Sequence, residues 1–259
     1  MLDLGSGNTS NATQVAAHDD AIKCIETCNV NNTEILITGS WDKTVKYWDL
    51  RQQTPVATLA CQERVYTMDT RNDMLVIGTA ERYINIVNLQ TPGSFFKTIP
   101  SPLKWQTRCV KTFTDAQGFA VGSVEGRCAI QYIQDKDTSS NFSFKCHRET
   151  PANDRNVSNV YSLNAISFHP EHGTFSTAGS DGTFHFWDKD AKHRLKGYPN
   201  VGGTIAATDF NKNGNIFAYA VSYDWSKGYA FNTPQQPNKI MLHPIAPDEC
   251  KPRPNSKKR

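Results

Sequence analysis

Residues 38–50 read TGSWDKTVKYWDL, a stretch that places hydroxyl side chains, two tryptophans and two aspartates within thirteen positions. The stretch is either a reactive cluster or one copy of an architectural unit. Its pattern recurs at IGTAERYINIVNL (77–89), VGSVEGRCAIQYI (121–133) and AGSDGTFHFWDKD (178–190), and more weakly at YAVSYDWSKG (219–228). An apolar run ending in Gly-Ser or Gly-Thr, then a short turn and alternating residues, is typical of a β-hairpin. The repetition favours architecture over chemistry.

The spacing of the copies predicts the fold. Gly39, Gly78, Gly122 and Gly179 are separated by 39, 44 and 57 positions, near the period of about 40–45 expected for a four-stranded propeller blade. No segment shows a sustained helical period. We expect an all-β propeller forming a single domain over residues 1–245, followed by a basic, flexible tail over 246–259. The expected strands of the first blade are 21–28, 34–39, 43–48 and 55–59, and the later blades cover 64–99, 107–145, 160–196 and 203–243.

Composition and motifs point away from catalysis and metal binding. The seven cysteines are never spaced as Cys-x-x-Cys, so we expect reduced thiols and no metal site. Phosphate-binding, nucleophile-elbow and zinc-protease motifs are absent from the sequence, and we expect neither enzyme activity nor a cofactor. No apolar run approaches the roughly 20 residues that a membrane-spanning helix needs, so no membrane insertion is expected.

The Gly-Ser and Trp-Asp pairs resemble WD repeats. The longer stretches NFSFKCHR (141–148), GSDGTFHFWDKDAK (179–192) and NGNIFAYAVSYDWSKG (213–228) are similar to the messenger-RNA export factor family that docks at nuclear pores. That family has seven blades, whereas about five are expected here. The chain is therefore expected to begin inside the second blade, as a truncated gene model or a short isoform, with ATQVAAHDD (12–20) as an outer strand. The related mitotic-checkpoint propeller family, which binds kinase and kinetochore peptides, is the alternative.

The WD resemblance implies a structural role for four residues that could otherwise suggest nucleophilic catalysis. His18, Thr38, Asp42 and Trp48 are expected to form a buried hydrogen-bond chain, in which every polar group has a partner. The second Trp-Asp copy repeats three of these residue types as Thr177, Asp181 and Trp187, and His147 is expected to take the place of the histidine. Active sites do not usually come in copies, so the structural interpretation is the stronger one.

The export-family resemblance also implies partners and binding residues. Arg127 is expected to pair with a carboxylate in an acidic segment of a phenylalanine-glycine nucleoporin, since a guanidinium favours that bidentate contact. A side groove for single-stranded messenger RNA or acidic ligands is expected at Phe144, Trp187, Asp188, Lys189, Lys192 and Arg194, because an aromatic floor with a basic rim suits base stacking and phosphate contact. The expected location is the nucleus and the nuclear envelope at pores, with shuttling to the cytoplasm.

The resemblance does not give every motif a role. For Trp225, packing against neighbouring blades and contact with a ligand both stay open.

Overall fold

The computed structural model of the protein describes residues 12–30 and 32–253. The chain divides into two compact units, residues 1–99 and 100–259. Both units are built from antiparallel sheets whose strands pair in chain order, the arrangement of propeller blades.

The first unit contains two four-stranded blades. The first blade consists of β1 (Ile22–Val30), β2 (Thr33–Ser40), β3 (Thr44–Asp49) and β4 (Ala57–Ala60). The second blade consists of β5 (Val65–Arg71), β6 (Met74–Thr79), β7 (Tyr83–Asn88) and β8 (Lys97–Pro100), which ends one residue beyond the unit boundary.

The second unit contains three further blades and a small two-stranded sheet. The third blade consists of β9 (Thr107–Thr112), β10 (Gly118–Ser123), β11 (Arg127–Tyr132) and β12 (Phe142–Lys145), and the small sheet of β13 (Arg148–Glu149) and β14 (Asn159–Val160). The fourth blade consists of β15 (Leu163–Phe168), β16 (Phe175–Gly179), β17 (Phe184–Asp188) and β18 (His193–Tyr198). The fifth blade consists of β19 (Ile205–Phe210), β20 (Ile216–Val221) and β21 (Lys239–Pro244).

Short 3-10 helices make up all the helical structure in the described residues. They span Ala80–Arg82, Asp135–Ser140 and Tyr229–Phe231. In the described part of the chain, no helix combines the length and the apolar character that crossing a bilayer would require.

The recurring Gly-Ser pair has a packing role. A Cβ atom added at Gly39 would lie 2.8 Å from Cγ1 of Val65 in the next blade of the first unit, and one added at Gly122 would lie 2.7 Å from Cδ2 of Leu163 in the second unit. Contacts this short do not occur in folded proteins. Glycine at the end of the second strand therefore lets the first strand of the following blade approach closely.

The second, third and fourth blades bury every residue of their second strands, which explains the apolar runs in the sequence. Every residue of β6 and of β10 is buried, as expected for strands covered on both faces. The core of the first unit includes Ile37, Val45 and Leu75, all with no exposed surface.

The prediction of an all-β propeller with about five blades is confirmed, and the strands of the first blade match their predicted ranges closely. Two expectations differ from the structure. Residues 12–20 form no strand, because no described segment supplies them with a ladder of hydrogen-bond partners. The fifth blade has three described strands, not four. The segment after β21 contains Pro247, which cannot donate to a ladder, and the side chain of Glu249 and the carbonyl of Cys250 bond Lys196 and Thr174 instead.

The segment after β21 is anchored to the second unit at its start. Cys250 is 2% exposed, and its carbonyl accepts a hydrogen bond of 2.7 Å from the hydroxyl of Thr174. The carboxylate of Glu249 accepts from Lys196 Nζ at 2.5 Å. Residues 249 and 250 are therefore held against the second unit, and the part of the predicted flexible tail at 254–259 lies outside the described residues.

Candidate functional site

A hydrogen-bonded chain of four side chains crosses the first blade. Trp48 Nε1 donates to Thr38 Oγ1 at 2.8 Å, Thr38 Oγ1 lies 2.7 Å from His18 Nε2, and His18 Nδ1 lies 2.8 Å from Asp42 Oδ2. Burial alone would raise the pKa of Asp42, but hydrogen bonds from Thr44, His18 and nearby backbone N–H groups lower it to about 2. The carboxylate therefore stays charged at neutral pH and favours the tautomer in which His18 donates from Nδ1.

The fourth blade contains a second copy of this chain. Trp187 Nε1 donates to Thr177 Oγ1 at 2.9 Å, His147 Nε2 lies 3.0 Å from the same oxygen, and His147 Nδ1 lies 2.9 Å from Asp181. His147 thus occupies the place that His18 holds in the first blade.

Neither copy presents a nucleophile to solvent. Thr38 and Thr177 have no exposed surface, and each hydroxyl bonds both an indole N–H and an imidazole. A substrate could not reach these oxygens without unfolding of the blade. The hydrogen bonds of each four-residue chain therefore join a turn to neighbouring strands, and neither chain exposes the hydroxyl that a catalytic triad uses as its nucleophile.

The aromatic side chains of the predicted groove lie together at the outer part of the second unit. The rings of Phe144 on β12 and Trp187 on β17 have centroids 4.5 Å apart and are tilted by 46°. The ring of Phe142 stacks on that of Phe144 with centroids 6.0 Å apart, and Lys192 Nζ lies 4.9 Å from the centroid of Phe142. Arg194 lies directly across the β17–β18 ladder from Trp187 and is exposed. Four of the six predicted groove residues are therefore brought together.

The other two predicted groove residues, Asp188 and Lys189, are buried and shape the hairpin. Asp188 is 4% exposed, and its Oδ1 accepts from the backbone N–H groups of Asp190 and Ala191 at 2.9 and 3.0 Å. Lys189 is 7% exposed and donates to Asp190 at 2.9 Å. Burial would lower the pKa of Lys189, but Asp190 raises it above the usual value, so the ammonium stays charged. Both side chains support the turn that presents Lys192.

A cavity of about 580 Å³ lies beside this aromatic pair, within the second unit. Its wall includes Ser180, Tyr161 and three members of the four-residue chain of the fourth blade, His147, Asp181 and Trp187. Its cationic side chains are Lys145, Arg148 and Arg194, and its carboxylates are Asp181 and Glu149. We call it the basic pocket. A site of this size accommodates a small ligand or part of a polymer.

Two buried nitrogen atoms in the basic pocket have no hydrogen-bond partner among the described residues. They are Arg148 Nε and His185 Nδ1. Another nitrogen of Arg148, Nη2, donates to the carbonyl of Glu125 at 2.8 Å. Burial, together with the charges of His147 and Arg194, lowers the pKa of His185 to about 4. His185 is therefore neutral at pH 7, and the positive charge of the pocket comes from the lysine and the two arginines.

Arg127 adjoins the basic pocket through Glu125. Its Nε lies 3.5 Å from Glu125 Oε2, and its side chain is 31% exposed. The same glutamate accepts from Arg148 through its backbone carbonyl, so the two arginines are held on either side of one residue. The predicted peptide-binding arginine is thus linked through Glu125 to Arg148, which lines the basic pocket.

The equivalent space in the first blade lacks free charge. A cavity of about 430 Å³ lies beside Trp48, between residues 13–17 and 50–53. Its single cationic side chain, Arg51, bonds Asp49 at 2.6 Å. Similar architecture therefore gives a basic site in only one of these two blades.

Sequence reasoning missed His185, although a signal was present. In FHFWD (184–188) His185 and Trp187 are two positions apart, and residues at that spacing on a strand point to the same face. Lys145 and Arg148 were recognisable only as charges near the end of a strand, because nothing local shows that the next blade closes a cavity over them.

Comparison with known proteins agrees with this architecture. Residues 10–49 and 143–188 match the family model described as WD domain, G-beta repeat. A solved structure, the crystal structure of a mitotic checkpoint complex, is similar with a TM-score of 0.63 at 16% identity, covering 76% of this chain and 59% of that chain. At that identity the likeness shows the fold alone.

Sequence relatives are far closer. The chain is 68% identical to the mRNA export factor GLE2 of Chaetomium thermophilum over 100% of its own length and 71% of the relative. It is 60% identical to the poly(A)+ RNA export protein of Schizosaccharomyces pombe, over 98% of this chain and 71% of the relative. It is 46% identical to the protein Rae1 of Drosophila melanogaster, over 93% of this chain and 70% of the relative. The chain therefore belongs to the WD-repeat messenger-RNA export factor family.

Proposed function

We propose that this protein is a non-catalytic adaptor in nuclear messenger-RNA export. It docks an acidic segment of a phenylalanine-glycine nucleoporin, which places it at the nuclear pore, and it binds single-stranded RNA. Membership of the export factor family supports the export role. The main observation behind the two binding roles is the basic pocket, in which three cationic side chains lie beside the half-buried rings of Phe144 and Trp187.

The RNA-binding part rests on chemistry that suits a polyanion with flat bases. Phe144 and Trp187 offer aromatic surface for stacking, and Lys192 and Arg194 are exposed cations close to it. Stacking of a base on an aromatic ring contributes roughly 1–3 kcal/mol, with little preference for sequence. We expect RNA affinity to depend strongly on salt, because each phosphate contact releases a counterion.

The peptide-docking part rests on Arg127. Its guanidinium is partly exposed beside Glu125, so the arginine is oriented before any ligand binds. An incoming carboxylate would form a charge-assisted hydrogen bond with it. An acidic peptide that also reached the basic pocket would meet Arg148, whose Nε has no partner among the described residues.

Titrations of labelled ligands test the two parts separately. Arg127→Glu is expected to weaken binding of an acidic nucleoporin peptide at least tenfold. The double variant Lys192→Glu and Arg194→Glu is expected to weaken binding of a uridine 20-mer and to lower the salt slope by about 1.4, the effect of losing two phosphate contacts on a single strand. Unchanged RNA affinity in the double variant would rule out the groove and leave peptide docking intact.

A mitotic-checkpoint scaffold remains the competing proposal, supported by the shared fold alone. The same titration with an acidic peptide from a checkpoint kinase decides between the two. Tighter binding of the kinase peptide than of the nucleoporin peptide would overturn the export proposal.

A further inference from the structure

The loop between β20 and β21, residues 222–238, exposes three large aromatic side chains. Trp225 is 59% exposed, Tyr229 84% and Phe231 52%. Single exposed apolar residues are common on protein surfaces, and three within seven positions make this loop a candidate interaction surface. No part of the proposed RNA groove uses this loop.

The base of the loop is fixed by buried polar contacts. Asp224 is 7% exposed, and its carboxylate accepts from Ser180 Oγ, from Asn164 Nδ2 at 3.1 Å and from the backbone N–H of Ser226 at 3.1 Å. The hydroxyl of Tyr223 donates to the carbonyl of Gly228 at 2.9 Å and accepts from a backbone N–H at 2.9 Å. The residues on either side of Trp225 are therefore held in place.

Trp225 itself adopts an unusual backbone conformation. Its φ is +61°, in the left-handed region that bulky residues rarely occupy. Its ring lies 6.0 Å from that of Tyr223 at a tilt of 38°, which covers one face and leaves the rest to solvent. Strain of this kind persists only where the surroundings enforce it, and it concentrates at functional sites. Burial of the ring cannot explain the conformation, because the ring is mostly exposed.

The charges around the loop favour an acidic ligand. Lys227 Nζ lies 5.6 Å from the ring centroid of Phe231. The exposed side chain of Arg108 reaches the carbonyl of Asp224 with Nη2 at 3.4 Å. Asp224 is the only carboxylate in residues 222–238, and its oxygens are occupied by the contacts described above.

The loop lies on the same surface as the basic pocket. Ser180 lines the pocket, and its hydroxyl donates to Asp224 directly before Trp225. Ser180 and Trp225 belong to connections between the second and third strands of their blades, and Arg127 is the first residue after such a connection, so all three lie at the same end of their sheets in the second unit.

We infer that Trp225, with Arg108 and Lys227, is a second anchor for the acidic peptide that contacts Arg127. An apolar side chain of the peptide packs on the exposed part of the indole, and its carboxylates face the two cations. This inference rests on the proposed peptide docking. Tryptophan held rigidly at the centre of an interface is a frequent source of binding energy.

The balance of groups favours a peptide over RNA at this loop. The loop has two cations, and the hydrogen bond from Arg108 Nη2 to the carbonyl of Asp224 holds one of them at the residue before Trp225. A polyanion is better matched by the basic pocket and the groove, which together have four accessible cationic side chains at Lys145, Arg148, Lys192 and Arg194.

The test uses Trp225→Asn, because asparagine tolerates the left-handed backbone and removes only the ring. Binding of the acidic nucleoporin peptide is expected to weaken at least tenfold, and binding of the uridine 20-mer is expected to stay within twofold. Trp225→Phe should restore most of the peptide affinity. The matched control is Phe96→Ala, which removes an aromatic ring that is 63% exposed in the first unit, and it should change neither affinity. Thermal melting checks that each variant is folded.

The outcomes separate this inference from the proposed function. If the parent protein binds the peptide and Arg127→Glu weakens it, but Trp225→Asn does not, the second anchor is overturned and peptide docking stands. Loss of RNA affinity alone in Trp225→Asn would also overturn it and assign the loop to RNA. If the parent protein fails to bind the peptide, both proposals fall.

Discussion

Trp48 and Trp187 hold equivalent places in the two hydrogen-bonded chains but differ in their surroundings. Trp48 is 4% exposed, and the nearby Arg51 is paired with Asp49. Trp187 is half-buried beside Phe144, and Arg194 lies across the ladder from it. The indole N–H makes the same hydrogen bond in both, so the difference in proposed function comes from the neighbours of the ring and not from the ring itself.

His185 gives a prediction about pH at the scale of one residue. Its pKa is lowered from 6.5 to about 4, chiefly by burial. Between these values the folded state binds fewer protons than the unfolded state, so the free energy of unfolding should rise with pH. Acidification from about pH 6.5 to 4 should therefore remove stability, on the order of 1–2 kcal/mol after allowance for partial exposure.

Denaturant unfolding across this pH range tests the prediction with two variants. His185→Gln should show a smaller loss of stability on acidification than the parent protein, because glutamine does not titrate. His193→Gln, at a half-buried histidine on the neighbouring strand, is the control. Equal pH dependence in the parent protein and His185→Gln would contradict the assignment.

At the scale of an element, the β17–β18 hairpin contains one side chain that stabilises its turn and another that is exposed to a ligand. Asp188 is buried and accepts two backbone N–H groups, whereas Lys192 is exposed with a φ of +56°. The sequence places both in one basic motif, and only the burial of each side chain distinguishes their roles. The carboxylate of Asp188 fixes the turn that positions the ammonium of Lys192.

Two substitutions in this hairpin should therefore have different effects. Asp188→Ala leaves two N–H groups without their acceptor and should cost about 1–3 kcal/mol of stability, with a secondary loss of RNA affinity. Lys192→Gln should weaken RNA binding while changing stability by less than about 0.5 kcal/mol. Asp209→Ala, at an exposed aspartate on β19, controls for loss of a carboxylate. Similar stability of the Asp188 and Asp209 variants would show that the turn does not need its acceptor.

At the scale of the whole molecule, the C-terminal segment contributes to the second unit beyond its strands. Glu249 accepts hydrogen bonds from Lys196, Tyr198 and His243 at 2.5, 2.6 and 3.0 Å. Burial alone would raise its pKa, but these three donors lower it to about 2. The carboxylate therefore stays charged and ties β18, β21 and the segment together.

Truncations on either side of this cluster should differ sharply. Removal of residues 251–259 should leave the thermal midpoint nearly unchanged, because the described residues of this segment, 251–253, are exposed. It should lower RNA affinity slightly at low salt, because five of the nine deleted residues are lysine or arginine. Removal of 246–259 also deletes Glu249 and the buried Cys250 and should cost about 2 kcal/mol or more. Differential scanning calorimetry of both truncations measures the difference, and equal midpoints would refute the anchoring role.

The sequence by itself determined the repeating blades, because β-hairpins depend on local features: alternation of side chains along a strand, glycine at close approaches and short turns between strands. It also placed Thr38, Asp42 and Trp48 at their positions in the chain of hydrogen bonds, since their spacing repeats at Thr177, Asp181 and Trp187. The sequence is therefore sufficient to predict how a strand pairs within its own sheet.

The tertiary structure alone decided which charged groups are available to a ligand. The groove prediction included Lys189 and Asp188, which packing buries, and it missed His185, which packing places in the wall of the basic pocket. Packing also fixes Trp225 in an exposed position through Ser180 and Asn164, which are more than forty residues away in sequence. The physical reason is that exposure and electrostatic environment depend on contacts between blades, and residues distant in the chain make those contacts.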